Sequence, residues 1–158
     1  MTNHCGSCTA CCKVYAIPET KKRAGEWCGD CAIGKGCKIY ATRPKSCVDF
    51  ECLWLQSQSR EHPHERLAPE LRPDRSKVVL APSTNPNIMG ATTMPGSPDA
   101  WKRPAMHALL ASFVKAGIGI SIGPPSALRH LVWTRKGLRE VEMTPPDENG
   151  MQWSKESA

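Results

Sequence analysis

Nine cysteines carry the only concentrated chemistry in this 158-residue chain, and all nine lie between Cys5 and Cys52. They form two groups. The first is Cys5-Gly6-Ser7-Cys8-Thr9-Ala10-Cys11-Cys12, a CxxCxxCC run. The second is Cys28-x2-Cys31-x5-Cys37, followed by Cys47 and Cys52. Two residues between cysteines let the backbone turn so that both sulfurs face one ion, and amide N–H groups in such a turn can hydrogen-bond the thiolates. Gly6, Ser7, Thr9 and Ala10 are small enough for a tight wrap, and Gly29, Gly34 and Gly36 supply turns in the second group. Cys11 and Cys12 are adjacent, so their side chains diverge; they serve different ions, or one of them bridges. Two tetrahedral sites need eight ligands, which leaves one of the nine thiols spare, bridging or functional. Thiolates suit zinc and iron equally well, so the spacing does not choose the metal.

Disulfide bonding is the competing use of cysteine. An odd number cannot pair completely within one chain. The N-terminus, Met-Thr-Asn-His-Cys, lacks the apolar stretch of a secretory signal. A cytoplasmic chain is therefore expected, in a reducing compartment where cysteines this dense bind metal. No apolar run approaches the ~20 residues of a membrane span. The formal charge is +6, with eight basic and five acidic residues up to Cys52 and thirteen basic and ten acidic after it. Eight bound thiolates and two divalent ions would reduce the total to about +2. Neither half carries a basic stripe interleaved with aromatics, so nucleic acid ranks last among partners. Lys21-Lys22-Arg23, the only run of three cations, reads as a solvated turn.

The spacing has a recognisable counterpart. Cys5–Cys12, together with Cys37-Lys38-Ile39-Tyr40-Ala41-Thr42-Arg43-Pro44-Lys45-Ser46-Cys47, resembles the CxxCxxCC family of zinc- or iron-chelating proteins, the YkgJ-like cysteine cluster proteins. That pattern is CxxCxxCC, a later cysteine-rich turn, C-x-I-Y-x-x-R-P-x-x-C-R and a further Cys. The resemblance covers residues 4–53. It implies eight metal-associated cysteines: Cys5, Cys8, Cys11, Cys12, Cys31, Cys37, Cys47 and Cys52. Cys28 falls outside the pattern, so Cys28→Ser is expected to cost less bound metal than Cys→Ser at Cys8, Cys11, Cys37 or Cys47. Val48 stands where the family carries an Arg. The family also resembles the cysteine segment of flagellin lysine methylases, and its members are often labelled iron–sulfur oxidoreductases.

Other candidates read more plainly. Tyr40 is expected to pack over the metal turn and Pro44 to fix the chain before Cys47. Arg43 is suited to donate hydrogen bonds to sulfurs or carbonyls, or else to touch a substrate. His4 adjoins Cys5 and could replace one thiolate. His62 and His64 sit in a polar stretch, and His107 borders an apolar helix face. Asp49 and Glu51 flank Phe50 as possible acceptors behind the ligands. Three cysteines at two-residue spacing also resemble the bacterial ferredoxin run, but the fourth Cys followed by Pro is missing. No G-x-S-x-G, Walker loop or dinucleotide fingerprint occurs.

These residues must be positioned by a segment with few core-formers: Val14, Tyr15, Ile17, Trp27, Ile39, Tyr40, Val48 and Phe50. Residues 1–55 therefore read as a loop-rich, metal-stapled module, with the staple worth on the order of 10 kcal/mol. Residues 56–76 read as a polar connecting segment with short helical turns. Residues 77–143 read as a small α+β unit. Its strands are expected over 77–80, 88–94 and 118–122, with a hairpin of 130–134 and 138–143. Ser97-Pro98-Asp99 looks like a helix start, and Met106, Leu109, Leu110, Phe113 and Val114 mark one amphipathic face. Pro104 kinks that helix or marks its true start, and Gly117 stops it. Residues 144–158 read as a flexible tail whose Trp153 could dock on the rest of the chain. The fold class is α+β: a cysteine module followed by a small sheet with one main amphipathic helix. The function expected is a metal-binding cysteine-cluster protein holding zinc or an iron–sulfur centre. The alternatives are an iron–sulfur protein assisting redox or methyl-transfer chemistry, and a metal-delivery or zinc-stapled interaction module. In the last, the C-terminal unit would dock a protein partner.

Overall fold

A computed structural model describes residues 4–125, 127–145 and 148 of the chain. The fold is α+β, with a loop-rich cysteine segment laid against a five-stranded mixed sheet that carries one main helix. The strands are β3 (Val78–Pro82), β4 (Ile88–Thr93), β5 (Gly119–Gly123), β6 (Arg129–Thr134) and β7 (Gly137–Val141), in the spatial order of the sequence. Neighbours pair antiparallel except β4 and β5, which are parallel. A parallel pair needs a long crossover, and α5 (Pro104–Lys115) provides it.

The start of α5 differs from the Ser97 cap that the sequence suggests. A short 3-10 turn occupies Ala100–Lys102, the Ser97 carbonyl accepts the Ala100 amide, and α5 begins at Pro104 after an extended Arg103. Proline has no N–H to lose at a first helical position and its fixed φ suits one, so Pro104 opens the helix without kinking it. The stop falls where expected. Gly117 has φ +85°, its amide bonds the Val114 carbonyl, and the Ile118 amide bonds that of Phe113. This is the double bond of a Schellman cap.

Strand alternation divides the sheet's two faces. Val78, Leu80, Ala91, Ile120, Ile122, Leu131 and Leu138 pack with Met106 and Leu110 of α5 in the main core. Each large side chain fully buried there contributes roughly 1.5–3 kcal/mol. Val79 alternates to the other face, where it packs with Ala10 and Val14 of α1 (Ala10–Val14). Cys8, Tyr15, Phe50, Cys52 and Met94 surround this small second core, and the Tyr15 hydroxyl lies 3.3 Å from Thr92 Oγ1. Most of the cysteine segment thus rests on the sheet face away from α5, while Leu53 and Trp54 at its end pack against the main core.

The rest of that segment is short pieces: a two-residue hairpin of β1 (Cys31–Ala32) and β2 (Gly36–Cys37), α2 (Lys45–Asp49) and α3 (Leu53–Gln58). The polar stretch after it does consist of short turns, ending in α4 (Pro73–Ser76). Leu71 and Ser76 are buried, and Leu67 and Ala68 pack on the main core, so the stretch is fastened to the sheet unit. Among the described residues no helix is long and apolar enough to cross a membrane. Trp153 and most of the expected tail lie outside the described residues.

Candidate metal centre

Each piece of irregular backbone in the cysteine segment positions one or two sulfurs. The first turn closes with the Cys8 amide on the Cys5 carbonyl at 3.0 Å, and α1 then carries Cys11 and Cys12. The Cys28 amide bonds the Cys12 carbonyl at 3.0 Å and draws the second group against the first. In the small hairpin Cys31 and Cys37 stand opposite each other. Its Gly36 passes so close to the first turn that an added Cβ would lie 2.9 Å from the Gly6 carbonyl oxygen, at φ +132°. Only glycine permits that approach. Cys47 rides on α2, whose Ser46 donates its amide N–H (2.8 Å) and hydroxyl (2.7 Å) to the Glu19 carboxylate. These bonds hold the Glu19 carboxyl below its usual range. Cys52 sits just before α3, its sulfur near the amides of Leu55 and Trp54.

All nine cysteines are free thiols. Seven of them (Cys5, Cys8, Cys11, Cys12, Cys28, Cys37 and Cys47) line one cleft of about 710 Å³. Tyr15, Tyr40, Arg43 and Phe50 share its walls, and Ala81, Gly90 and Thr92 of the sheet contribute to it. Cys52 lies outside this cleft, on a second, much smaller void. Cys31 is buried, hydrogen-bonded to Cys12 and Thr9.

The sulfurs interact directly. Cys11 is hydrogen-bonded to both Cys12 and Cys5, and these contacts together with burial push its thiol far up. The Cys11 hydrogen bond pulls Cys5 down to about 7 and Cys12 to about 6, against the opposing effect of burial. Burial raises Cys8, Cys47 and Cys52, and raises Cys31 to about 11.

Two cations border the sulfurs. The Lys22 ammonium donates to the carbonyls of Lys13 (3.1 Å) and Tyr15, at the end of α1. Burial lowers its pKa, while the nearby Cys12, Cys28 and Cys11 push it back up. Lys22 is therefore a partly buried tie between α1 and the following loop, not the solvated cation the run of three suggests. Arg43 donates to the Tyr40 carbonyl at 2.9 Å, lies 4.0 Å over the Tyr40 ring and acts on Cys5 by charge. The hydrogen bond expected of it goes to a carbonyl, and toward the sulfur it acts through charge alone. Pro44 likewise does what was expected, since its carbonyl accepts the Cys47 amide at 3.0 Å.

The remaining candidates scatter. His4 lies against the Tyr40 ring at 4.9 Å. His62 and His64 stack on each other at 5.6 Å in an exposed turn, and His107 stacks on Trp101 at 6.2 Å, across the sheet from the thiols. Asp49 and Glu51 do line the cleft, with Asp49 ion-paired to Lys45 in solvent. Sequence reasoning missed Glu19, Lys22 and Arg72. Arg72 Nη2 donates to Ser7 Oγ at 2.7 Å, and its neighbour Asp74 offers its amide to the Cys8 sulfur. No local pattern marks these residues, because each reaches its partner across a fold that the cysteines themselves help to set.

The donor set fits a soft metal: nine reduced thiols, charge-balancing cations and amide N–H groups near the sulfurs. Among the described residues, however, no three Cys, His, Asp or Glu side chains stand in an assembled ligand shell. Comparison with protein-family models, curated proteins and solved structures finds no match to the chain.

Proposed function

We propose that the chain is a thiolate metal-binding protein of the reducing cytosol, related to the CxxCxxCC cysteine cluster proteins, with zinc or an iron–sulfur centre held between its first 52 residues. The observation that carries this is the gathering of seven reduced thiols onto one cleft. The sulfurs come from a turn, a helix, a loop, a hairpin and a second helix, and an apolar core would have no reason to collect them. The sheet unit serves as scaffold and offers the surface for any protein partner.

A second reading has its own support. The cleft is far larger than an ion, and Arg43 faces it without a carboxylate partner among the described residues. Such room suits redox or group-transfer chemistry on a bound substrate. Purification without oxygen, followed by metal analysis and a visible spectrum, tests both readings. Zinc with no visible absorption supports a structural or delivery role, whereas absorbing iron and sulfide fit both readings, and a redox or transfer activity of that loaded protein then separates them. A fully reduced protein that takes up neither metal rules out both.

A further inference from the structure

The wide cleft is not the only space that the thiols border. A void of about 20 Å³ lies beside it, lined by Cys5, Cys8, Cys11 and Cys52. Its other walls are Phe50, Trp54, Leu55, Pro73 and Val79, so it sits where the cysteine segment meets β3. Cys5, Cys8 and Cys11 line both spaces and form the partition between them. Cys52 borders the void alone, and Cys12, Cys28, Cys37 and Cys47 border the cleft alone.

We propose, building on the metal-binding reading above, that the thiols divide into two unlike sites. Cys5, Cys8, Cys11 and Cys52 close on a single divalent ion at the joint with the sheet. Cys12, Cys28, Cys37 and Cys47 form a second site open to the cleft. The division follows from size and number. The void has room for about one water-sized body, which admits one ion and not a cluster of irons and sulfides. Four thiolates complete a tetrahedral shell at either site, so it is the enclosure of the void against the open cleft that makes the two unlike. Its surroundings suit a charged thiolate site. The Cys8 sulfur accepts from the amides of Ala10 and Asp74, with the Arg72–Asp74 ion pair close by, and the Cys52 sulfur lies by the amides of Leu55 and Trp54. The Trp54 indole N–H, on the same wall, is a buried donor with no hydrogen-bond partner among the described residues. The adjacent Cys11 and Cys12 then serve different sites. Cys31, held behind Cys12, is the ninth thiol, and Cys28 takes the place in the shell that the family pattern gives to Cys31.

The test is an anaerobic titration of the reduced, metal-free full chain with Co2+, read by its thiolate charge-transfer absorption, on wild type, C52S and C28S. These two cysteines are chosen because each borders one space only. Wild type is expected to bind two equivalents, and each variant to lose one and keep the other. Loss of all binding in C28S, or two equivalents retained in C52S, overturns the division while leaving metal binding intact. Should C52S fail to fold, C28S still decides, since one indivisible site would leave it with none. A wild type that binds no Co2+, zinc or iron overturns the metal reading itself.

Discussion

Residues 4–55 bury Ala10, Val14, Ile17, Cys31 and Leu55 and leave Trp27, Ile33 and Val48 in solvent, whereas the sheet unit encloses Val78, Val79, Met106, Leu110, Ile120 and Ile122 almost completely. The first region is held by scattered backbone bonds and sulfur contacts; the second is held by a ladder of paired strands and a helix with a full apolar face. The difference in how the regions are stabilised follows from composition. A segment with so few large apolar residues offsets little of its ordering entropy by burial, so on the proposed reading its shape is tied to what its thiols bind. A metal contributing on the order of 10 kcal/mol per site is enough to do this.

The largest effect should come from removing metal. Chelation of the metal-loaded protein is expected to abolish slow hydrogen exchange through residues 5–52 while the amides of β3–β5 stay protected. Slow exchange in the cysteine segment after complete metal removal would show that its small core suffices. The mirror experiment is Leu110→Ala. Leu110 is fully buried between α5 and the sheet, and truncation should cost about 2–5 kcal/mol in the sheet unit. Bound metal per folded molecule should not change. A parallel loss of metal in that variant would mean that the two regions unfold as one.

The sheet unit was the more legible half. Alternation in Ile118–Ile122, the helical spacing from Met106 to Val114 and the turn at Arg135-Lys136 each reflect a local period, and β5, α5 and the β6–β7 hairpin lie where those periods put them. The sequence left the helix start open between Ser97 and Pro104 because two overlapping proline signals, Pro98 and Pro104, are separated only by tertiary packing; α5 takes the second. At Trp101 the chain is buried in a 3-10 turn before α5 begins. In the cysteine segment, spacing singled out the thiols but not their grouping. CxxC turns say which sulfurs are neighbours in sequence. They do not show that Cys52 meets the first motif across the sheet joint, or that Cys31 turns inward on Cys12 and Thr9.

Two glycines sharpen the contrast at lower cost. Gly36 and Gly123 both sit at positive φ with a carbonyl oxygen where a Cβ would go: Gly6 O at 2.9 Å and Ala127 O at 2.4 Å. Each →Ala change should store strain of about 1–3 kcal/mol. Gly36→Ala is expected to push the hairpin off the first cysteine turn and weaken metal retention in a competition assay with a chelator, leaving the thermal unfolding of the sheet in place. Gly123→Ala should lower the unfolding temperature of the sheet and leave metal retention alone. Interchanged outcomes would show that the regions do not carry their stabilisation separately.

The smallest effect concerns pH in the half that has no thiols. His130 lies on β6 opposite Ser121 of β5 and Val141 of β7, and partial burial lowers its pKa below the ordinary 6.5. With the native value depressed, the unfolded chain binds more protons than the native one in the window just below 6.5, so stability rises with pH there. The contribution is complete above the unfolded pKa, declines as pH falls through that window, and levels off once both states are protonated. Solvent reaches the ring, so the slope should be shallow. His130→Gln should flatten it, measured as the difference in hydrogen exchange of β5–β7 amides between variant and wild type across that window. The difference matters because acid also protonates thiolates in both proteins, and that shared effect cancels. Identical slopes in His130→Gln and wild type would show that His130 does not carry this part of the pH dependence.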